Sequence, residues 1–560
     1  MATGYRPDRP LIVQADRSLL LEVDNPTFEE CRDRLAAFAE LRKSPEHIHT
    51  YAVTPLSLWN ACAAGVSVDS VLDTLAAFSK YELPQNVLTD VRDLMGRYGK
   101  LRLLKTGDTL ALEADDPDLL ASLRRNPHLQ PLLGDGDGGG RAPVSPGERG
   151  RLKQLLMKAG MPVEDLAGYT DGAPYPLSLR EADGGGRPFT LRDYQRAAVD
   201  TFWAGGGPRG GSGVLVLPCG AGKTVVGLGV MERASCRTLI LCTSISAVRQ
   251  WRREIQEKTS VDPADIGEYS GERKDVRPIT LATYQIMTTR VRDGPDEFPH
   301  LSLFMREDWG LIVYDEVHLL PAPVFRITAE IQSRRRLGLT ATLVREDGRE
   351  EDVFSLIGPK RFDAPWKDLE RQGWIAPAEC TEVRVPMPRE LRMAYASAER
   401  REQYRIAATN LVKLPALQGL LERHKGDRVL VIGTYLDQLD EVASRLKAPL
   451  ITGKTPSRDR EVLFDAFRGG SLRLLVVSKV ANFAIDLPEA NVAIEMSGAF
   501  GSRQEEAQRL GRILRPKSDG GQAHFYAIVS HDTVDQTYSD HRQLFLTEQG
   551  YKYRIEDFTP

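Results

Sequence analysis

The chain has 560 residues, 41% hydrophobic and 27% charged, with 74 basic residues against 78 acidic ones. That length exceeds a single compact core and asks for about three or four domains. The near balance of charge excludes a strongly basic nucleic-acid coat and, taken alone, argues against a DNA or RNA partner.

No apolar run approaches the roughly 18 to 20 residues of a membrane span. The N-terminus has no basic-then-apolar secretory pattern, so a cytoplasmic protein is expected. The six cysteines, Cys31, Cys62, Cys219, Cys236, Cys242 and Cys380, form no C-x-x-C pair. A zinc ribbon and a disulfide framework are therefore not expected.

In chain order, residues 1–130 read as an α+β module. Leu11–Gln14 and Leu19–Val23 are strand-like, and Phe28–Pro45 has helical periodicity started by Pro26 and Thr27. Ser67–Tyr81 reads as a second helix, and Leu101–Ala114 as a hairpin turning at Thr106-Gly107-Asp108. Residues 131–187 read as a linker and a segment leading into the next domain, since Gly134–Gly147 is rich in glycine and proline.

From Val214 the pattern changes. Short Val/Ile/Leu runs at 214–217, 237–243, 278–283, 309–316 and 335–342 alternate with helix-length segments. Such runs imply parallel strands covered on both faces. A second set follows at 428–434, 472–479, 491–498 and 523–530. The fold class is therefore α/β, with two such domains in tandem, 188–358 and 425–545. Residues 359–424 read as a linker and helix pair, and 546–560 as a C-terminal tail.

Three motifs carry chemistry. The first is Leu217-Pro-Cys-Gly-Ala-Gly-Lys-Thr224, between a strand and a helix. Gly220, Ala221 and Gly222 leave the backbone N–H groups open to phosphate oxygens, and the helix N-terminus favours an anion. Lys223 reaches the β- and γ-phosphates, and the Thr224 hydroxyl suits Mg²⁺. The strict pattern begins with glycine, where Leu217 stands here.

The second motif is Asp315-Glu316-Val317-His318 at a strand end. Asp315 suits the metal and Glu316 the polarising of an attacking water, against the alternative of a solvated acidic turn. The third is Gln508-Arg-Leu-Gly-Arg-Ile-Leu-Arg515. Arg509, Arg512 and Arg515 share a helix face, which serves either as an arginine finger or as a solvated basic surface.

These motifs, with Thr340-Ala-Thr342, stand in the order found in superfamily 2 helicases. Arg345-Glu346-Asp347, Phe189–Val199 and Ala484–Asn491 narrow the resemblance to XPB-type DNA helicases, and residues 1–130 are similar to the N-terminal module of bacterial members. The resemblance implies two RecA-like domains closing on ATP and Mg²⁺, a helical thumb-like insert, and 3′→5′ movement on DNA in repair. It implies adenine contact by Gln195, nucleotide contact by Asp486, and catalytic roles for Lys223, Asp315, Glu316, Gln508, Arg512 and Arg515. It implies that Thr340 and Thr342 couple hydrolysis to movement. Nucleic-acid contacts are implied at Thr243, Ser244, Thr283, Tyr284, Gln285, Arg345, Glu346, Asp347, Ser478 and Lys479. The sequence departs at Ala481–Ala484, where the family often has Gly-Asp-Thr-Ser, and hydrogen-bonding capacity is lower there.

Residues 387–424 cluster Arg392, Arg400, Arg401, Arg405 and Lys413 at the thumb position, with a charged connecting hairpin as the alternative. Residues 359–424 carry 12 basic and 9 acidic residues, whereas residues 1–150 carry 17 and 22. A DNA path over the former is expected, with no bulk attraction from the latter. The expected partner is single-stranded, forked or damaged duplex DNA, with a separate nuclease or repair proteins beside it and no membrane. Two other functions fit the same motifs: a duplex translocase that leaves strands paired, and a nucleotide-gated interaction module of a repair or transcription assembly.

Overall fold

The computed structural model describes the chain except residues 1–4, 45–46, 107–108, 136–139, 146–147, 168–171, 208–209, 219, 290–298, 304–306, 321–323, 325–334, 342–349, 365–368, 370–371, 374–377, 479–489, 499–521, 549–551 and 560. It divides into two compact units, residues 1–40, 51–217 and 222–364, and residues 41–50, 218–221 and 365–560. Among the described residues no single helix is long and apolar enough to cross a membrane.

The chain begins with an antiparallel pair, β1 (Leu11–Val13) and β2 (Ser18–Glu22). The helix expected over 28–45 covers only Phe28–Leu35, and β3 (Glu40–Lys43) and β4 (Ile48–Ala52) follow. Leu35, Phe38 and Leu41 are three residues apart and all buried, which mimics a continuing helix. Instead the chain turns at Phe38, whose carbonyl accepts the Ser57 hydroxyl at 2.7 Å.

Next come β5 (Leu101–Thr106) and β6 (Thr109–Ala114), the expected hairpin. They join β7 (Arg141–Val144) and β8 (Val163–Asp165) in a sheet of order β7-β6-β5-β8. Both added strands lie in the segment read as linker. Tertiary pairing overrides composition there: Ala142 and Val144 are buried against the leucines of β5 and β6.

This sheet carries a buried charge cluster. Asp165 accepts Arg149 Nε at 3.1 Å and Lys153 Nζ at 3.0 Å. Burial opposes the Asp165 carboxylate, but Lys153 and Arg149 outweigh it and hold the carboxyl well below its ordinary value. Burial also brings Lys153 down to about 8. Nearby, Trp59, Met157 and Phe354 pack together, Gln154 Nε2 donates to Asp352 Oδ1 at 2.8 Å, and Lys360 N donates to Asn60 Oδ1 at 2.9 Å.

The larger sheet of the first unit contains β9 (Ser212–Val216), β10 (Thr238–Cys242), β11 (Ile266–Tyr269), β12 (Ile279–Thr283), β13 (Leu311–Asp315), β14 (Arg335–Thr340) and β15 (Lys360–Asp363). Its order is β11-β12-β10-β13-β14-β9-β15 and every pairing is parallel. β9, β10 and β12 are buried at every position, so their side chains need cover on both faces. β15 extends the sheet into the segment assigned by sequence to the linker before the thumb.

The second unit has its own seven-stranded parallel sheet: β16 (Ala378–Val385), β17 (Val429–Gly433), β18 (Leu450–Ile451), β19 (Leu474–Ser478), β20 (Val492–Glu495), β21 (Ala523–Ser530) and β22 (Lys552–Asp557). The order is β18-β19-β17-β20-β21-β16-β22. The chain thus holds two tandem RecA-like sheets. β16 and β22 were not expected as strands, since one lies in the linker reading and the other in the tail reading. β16 carries Glu382 at its centre, which hides its strand character. That glutamate is fully buried and accepts Ser539 Oγ at 2.7 Å, Tyr553 Oη at 2.7 Å and Arg384 Nε at 2.7 Å.

Asp165→Ala leaves Arg149 and Lys153 buried without their shared anion. It should lower unfolding free energy by about 3–5 kcal/mol in urea titration at neutral pH. An unchanged midpoint would show that the cluster contributes nothing net.

Candidate nucleotide and nucleic-acid site

The phosphate loop leaves β9 directly, with Leu217 N donating to Thr340 O at 2.9 Å. Gly220 and Gly222 have φ of 83° and 78°, a region open to glycine at little cost. Gly222 caps the helix Lys223–Ala234. A Cβ on Gly222 would lie 2.7 Å from Gln195 Nε2, so the glycine makes room for that amide. Gln195 is buried and its Oε1 accepts Arg192 N at 3.0 Å, which fixes its orientation at the start of the helix Asp193–Trp203. Ala221 is buried, and Thr224 is half-buried at the second position of the loop helix.

Opposite stands the end of β13. Lys223 Nζ lies 3.2 Å from Glu316 Oε1. Asp315 Oδ2 accepts the Trp251 indole N–H at 3.1 Å, and Asp315 O accepts the Tyr284 hydroxyl at 3.0 Å. Glu316 has a left-handed backbone, φ 51°, at the turn out of the strand. His318 Nδ1 is 2.7 Å from Thr340 Oγ1 and 3.6 Å from Glu316 Oε2. This joins the acidic motif to the first threonine of Thr340-Ala-Thr342.

The two carboxyls are driven apart. Burial, then the adjacent Glu316 charge, push Asp315 up to about 6, against the Trp251 hydrogen bond and Lys223. Burial also opposes the Glu316 carboxylate, but Lys223 and His318 outweigh it and hold that carboxyl below its ordinary value. Glu316 is therefore ionised at neutral pH and already paired with the phosphate-loop lysine.

The segments expected to hold DNA behave unequally. Ser244 caps the helix Ile245–Lys258 by accepting Ala247 N at 3.2 Å, and Thr243 is half-buried beside it. Thr283 caps the short helix Tyr284–Met287 and is buried. Tyr284 is also buried with its hydroxyl spent on Asp315, so it belongs to the acidic strand end rather than to an open surface. Gln285 is exposed. Ser478 ends β19 and is buried.

The segment read as a helix pair holds three helices, Arg389–Ser397, Arg400–Ala408 and Lys413–Arg423. Arg400, Arg401 and Arg405 are exposed. Arg405 pairs with Asp437 at 3.0 Å, and the Arg400 guanidinium lies 6.0 Å from the Tyr538 ring centroid. Lys413 leaves this basic group. It is fully buried and binds Asp535 Oδ2 and Met496 O, each at 2.8 Å. Thr342, Arg345, Glu346, Asp347, Lys479, Asp486, Gln508, Arg509, Arg512 and Arg515 lie outside the described residues.

The chain is similar to known proteins along its length. A family model described as ERCC3/RAD25/XPB C-terminal helicase matches residues 369–558, and one described as type III restriction enzyme, res subunit, matches 188–345. A protein named DNA 3′-5′ helicase XPB from Mycobacterium tuberculosis is 57% identical over 98% of this chain and 98% of its own length. One of the same name from Kineococcus radiotolerans is 58% identical over 98% and 97%. The chain belongs to the XPB helicase family.

A more distant relative extends the family's range. The Saccharomyces cerevisiae protein named general transcription and DNA repair factor IIH helicase/translocase subunit XPB/SSL2 is 31% identical over 98% of this chain and 73% of its own. A third model, described as helicase conserved C-terminal domain, matches residues 11–136. The N-terminal region of this XPB-family chain therefore carries a recognisable match of its own. Trp251 was missed by the sequence reading. Its signal was one tryptophan among the charged residues of Arg249–Glu254, a pattern equally common in packing helices.

Gly222→Ala should weaken binding of a fluorescent ATP analogue by about tenfold or more, since it combines a positive φ with a contact on Gln195. Wild-type affinity would contradict this role. Lys413→Ala should cost about 3–5 kcal/mol in urea unfolding and leave DNA affinity of the folded protein unchanged. A selective loss of DNA affinity at wild-type stability would return Lys413 to the DNA surface.

Proposed function

We propose that ATP and Mg²⁺ are taken up where β9 and β13 end, and that hydrolysis there drives this chain along DNA as a 3′→5′ helicase in DNA repair. The Lys223–Glu316 pair carries the reading, because it joins the phosphate-loop lysine to the carboxylate beside the expected water.

The residues fit a hard cation, since Asp315 offers a carboxylate at the end of β13 and Thr224 a hydroxyl at the start of the loop helix. Mg²⁺ bound there supplies charge neutralisation to the β- and γ-phosphates. Lys223 cannot serve the phosphates and Glu316 equally. As ATP enters, its oxygens draw the Lys223 ammonium away from Glu316, and the carboxylate gains basicity. Glu316 then orients water toward the γ-phosphorus and accepts its proton as the bond to the ADP oxygen breaks. Arg512 and Arg515 supply cationic charge to the γ-phosphoryl group, and Gln508 orients the same site. Gln195 and Asp486 contact the nucleotide.

DNA contacts are assigned to Thr243, Ser244 and Gln285 in the first unit, and to Arg400, Arg401, Arg405 and Lys479 in the second, since Thr283 and Ser478 are buried. Arg345, Glu346 and Asp347 act where the duplex opens. Their modest number suits a motor that must release DNA in every cycle. The eukaryotic relative's name pairs helicase with translocase, which keeps duplex translocation without strand separation as the second reading.

Lys223→Ala should reduce ATP hydrolysis by at least about 100-fold and abolish unwinding, with DNA affinity within about twofold of wild type. Full strand separation by that variant would sink the assignment. Triplex displacement by wild type without fork unwinding would favour the translocase.

A further inference from the structure

Trp251 is 1% exposed and sits on the helix Ile245–Lys258, which follows β10 and Ser244. Its ring is wedged against the phosphate-loop helix at Gly227. A Cβ there would lie 2.5 Å from Trp251 Cη2 and 3.4 Å from Leu339 Cδ1, so only glycine admits the indole. From this position the indole N–H reaches Asp315 Oδ2 at 3.1 Å. Tyr284 follows β12 and sends its hydroxyl to the backbone carbonyl of the same aspartate at 3.0 Å. Its neighbour Gln285 is exposed.

The helices that follow β10 and β12 at the carboxyl edge of one parallel sheet thus each extend a side-chain hydrogen bond to Asp315. One grips the carboxylate and the other the main chain. Ligands of open α/β sheets gather at that edge. The indole N–H and phenol O–H are single, directional donors, so a shift of either helix is felt at Asp315 as a lost or bent bond. Asp315 and Glu316 are consecutive, so any reorientation of that residue also moves the carboxylate paired with Lys223.

We propose that Trp251 and Tyr284 are positioning residues that carry DNA occupancy at Thr243–Ser244 and at the exposed Gln285 to Asp315, and so set the rate of ATP hydrolysis. This rests on the reading of the site as a DNA-stimulated ATPase. The two bonds tie the helices capped by Ser244 and Thr283 to the acidic pair. Coupling of this kind must be reciprocal for binding: DNA that alters nucleotide affinity is itself held differently when nucleotide is present.

The test uses the full chain and the variants Trp251→Phe and Tyr284→Phe, which keep a ring and remove one donor. Steady-state ATPase is measured with and without saturating forked DNA. Affinity for a fluorescent non-hydrolysable ATP analogue is measured under the same two conditions. The ratio of DNA-stimulated to DNA-free kcat should fall by about fivefold or more, and the effect of DNA on analogue affinity should shrink toward none. KM for ATP and Kd for DNA should stay within about twofold of wild type. If Trp251→Phe fails to fold, Tyr284→Phe carries the same readouts. An unchanged stimulation ratio in the folded variants, whatever happens to the absolute rates, would overturn the proposal and leave both bonds as packing. A wild-type protein whose ATPase ignores DNA would instead overturn the reading on which the proposal rests.

Discussion

Two successive carboxylates at the end of a buried strand repel one another and resist burial, and a cation must stand close by to keep them charged. In this chain that cation is Lys223, 3.2 Å from Glu316. The phosphate loop and the acidic motif are therefore mutually dependent before any nucleotide arrives. Lys223 lowers the Glu316 carboxyl, while Asp315 is left high beside it. Glu316 is kept ionised chiefly by Lys223, while burial and the Glu316 charge favour the protonated form of Asp315.

The parallel sheet makes this encounter possible. β9 and β13 run in the same direction on either side of β14, so their carboxyl ends lie along one edge. The lysine comes from the loop after one strand and the carboxylates from the end of the other. β14 between them brings Thr340, which holds His318 and receives the Leu217 amide. Glycine substitutes for bulk wherever two parts must touch, at Gly222 for Gln195 and at Gly227 for Trp251. The same edge starts the helices after β10 and β12, whose Trp251 and Tyr284 donate to Asp315.

Most of this was legible in the sequence where local rules and tertiary packing agree. The nine apolar runs read as buried strands all carry strands, because a strand covered on both faces announces itself by continuous Val, Ile and Leu. The phosphate loop and the acidic pair were read from glycine spacing and strand ends. What escaped was decided by distant partners. β7 sits in a glycine-rich stretch and exists through pairing with β6. β16 hides behind Glu382, whose burial depends on Ser539, Tyr553 and Arg384. Lys413 looked like one more surface cation until Asp535, 122 positions away, was found beside it. Trp251 and Tyr284 touch the acidic residue only because the sheet aligns the ends of β10, β12 and β13, and no local pattern encodes that.

In the proposed mechanism, charge exchange at Lys223 and Glu316 converts ATP binding into chemistry, and chemistry into directed movement on DNA. Single-turnover strand displacement from otherwise identical 3′-tailed and 5′-tailed duplexes, with and without ATP, tests this most directly. ATP-dependent separation of the 3′-tailed duplex alone is the predicted result. Equal separation of both, or separation without ATP, would contradict a 3′→5′ motor driven from this site.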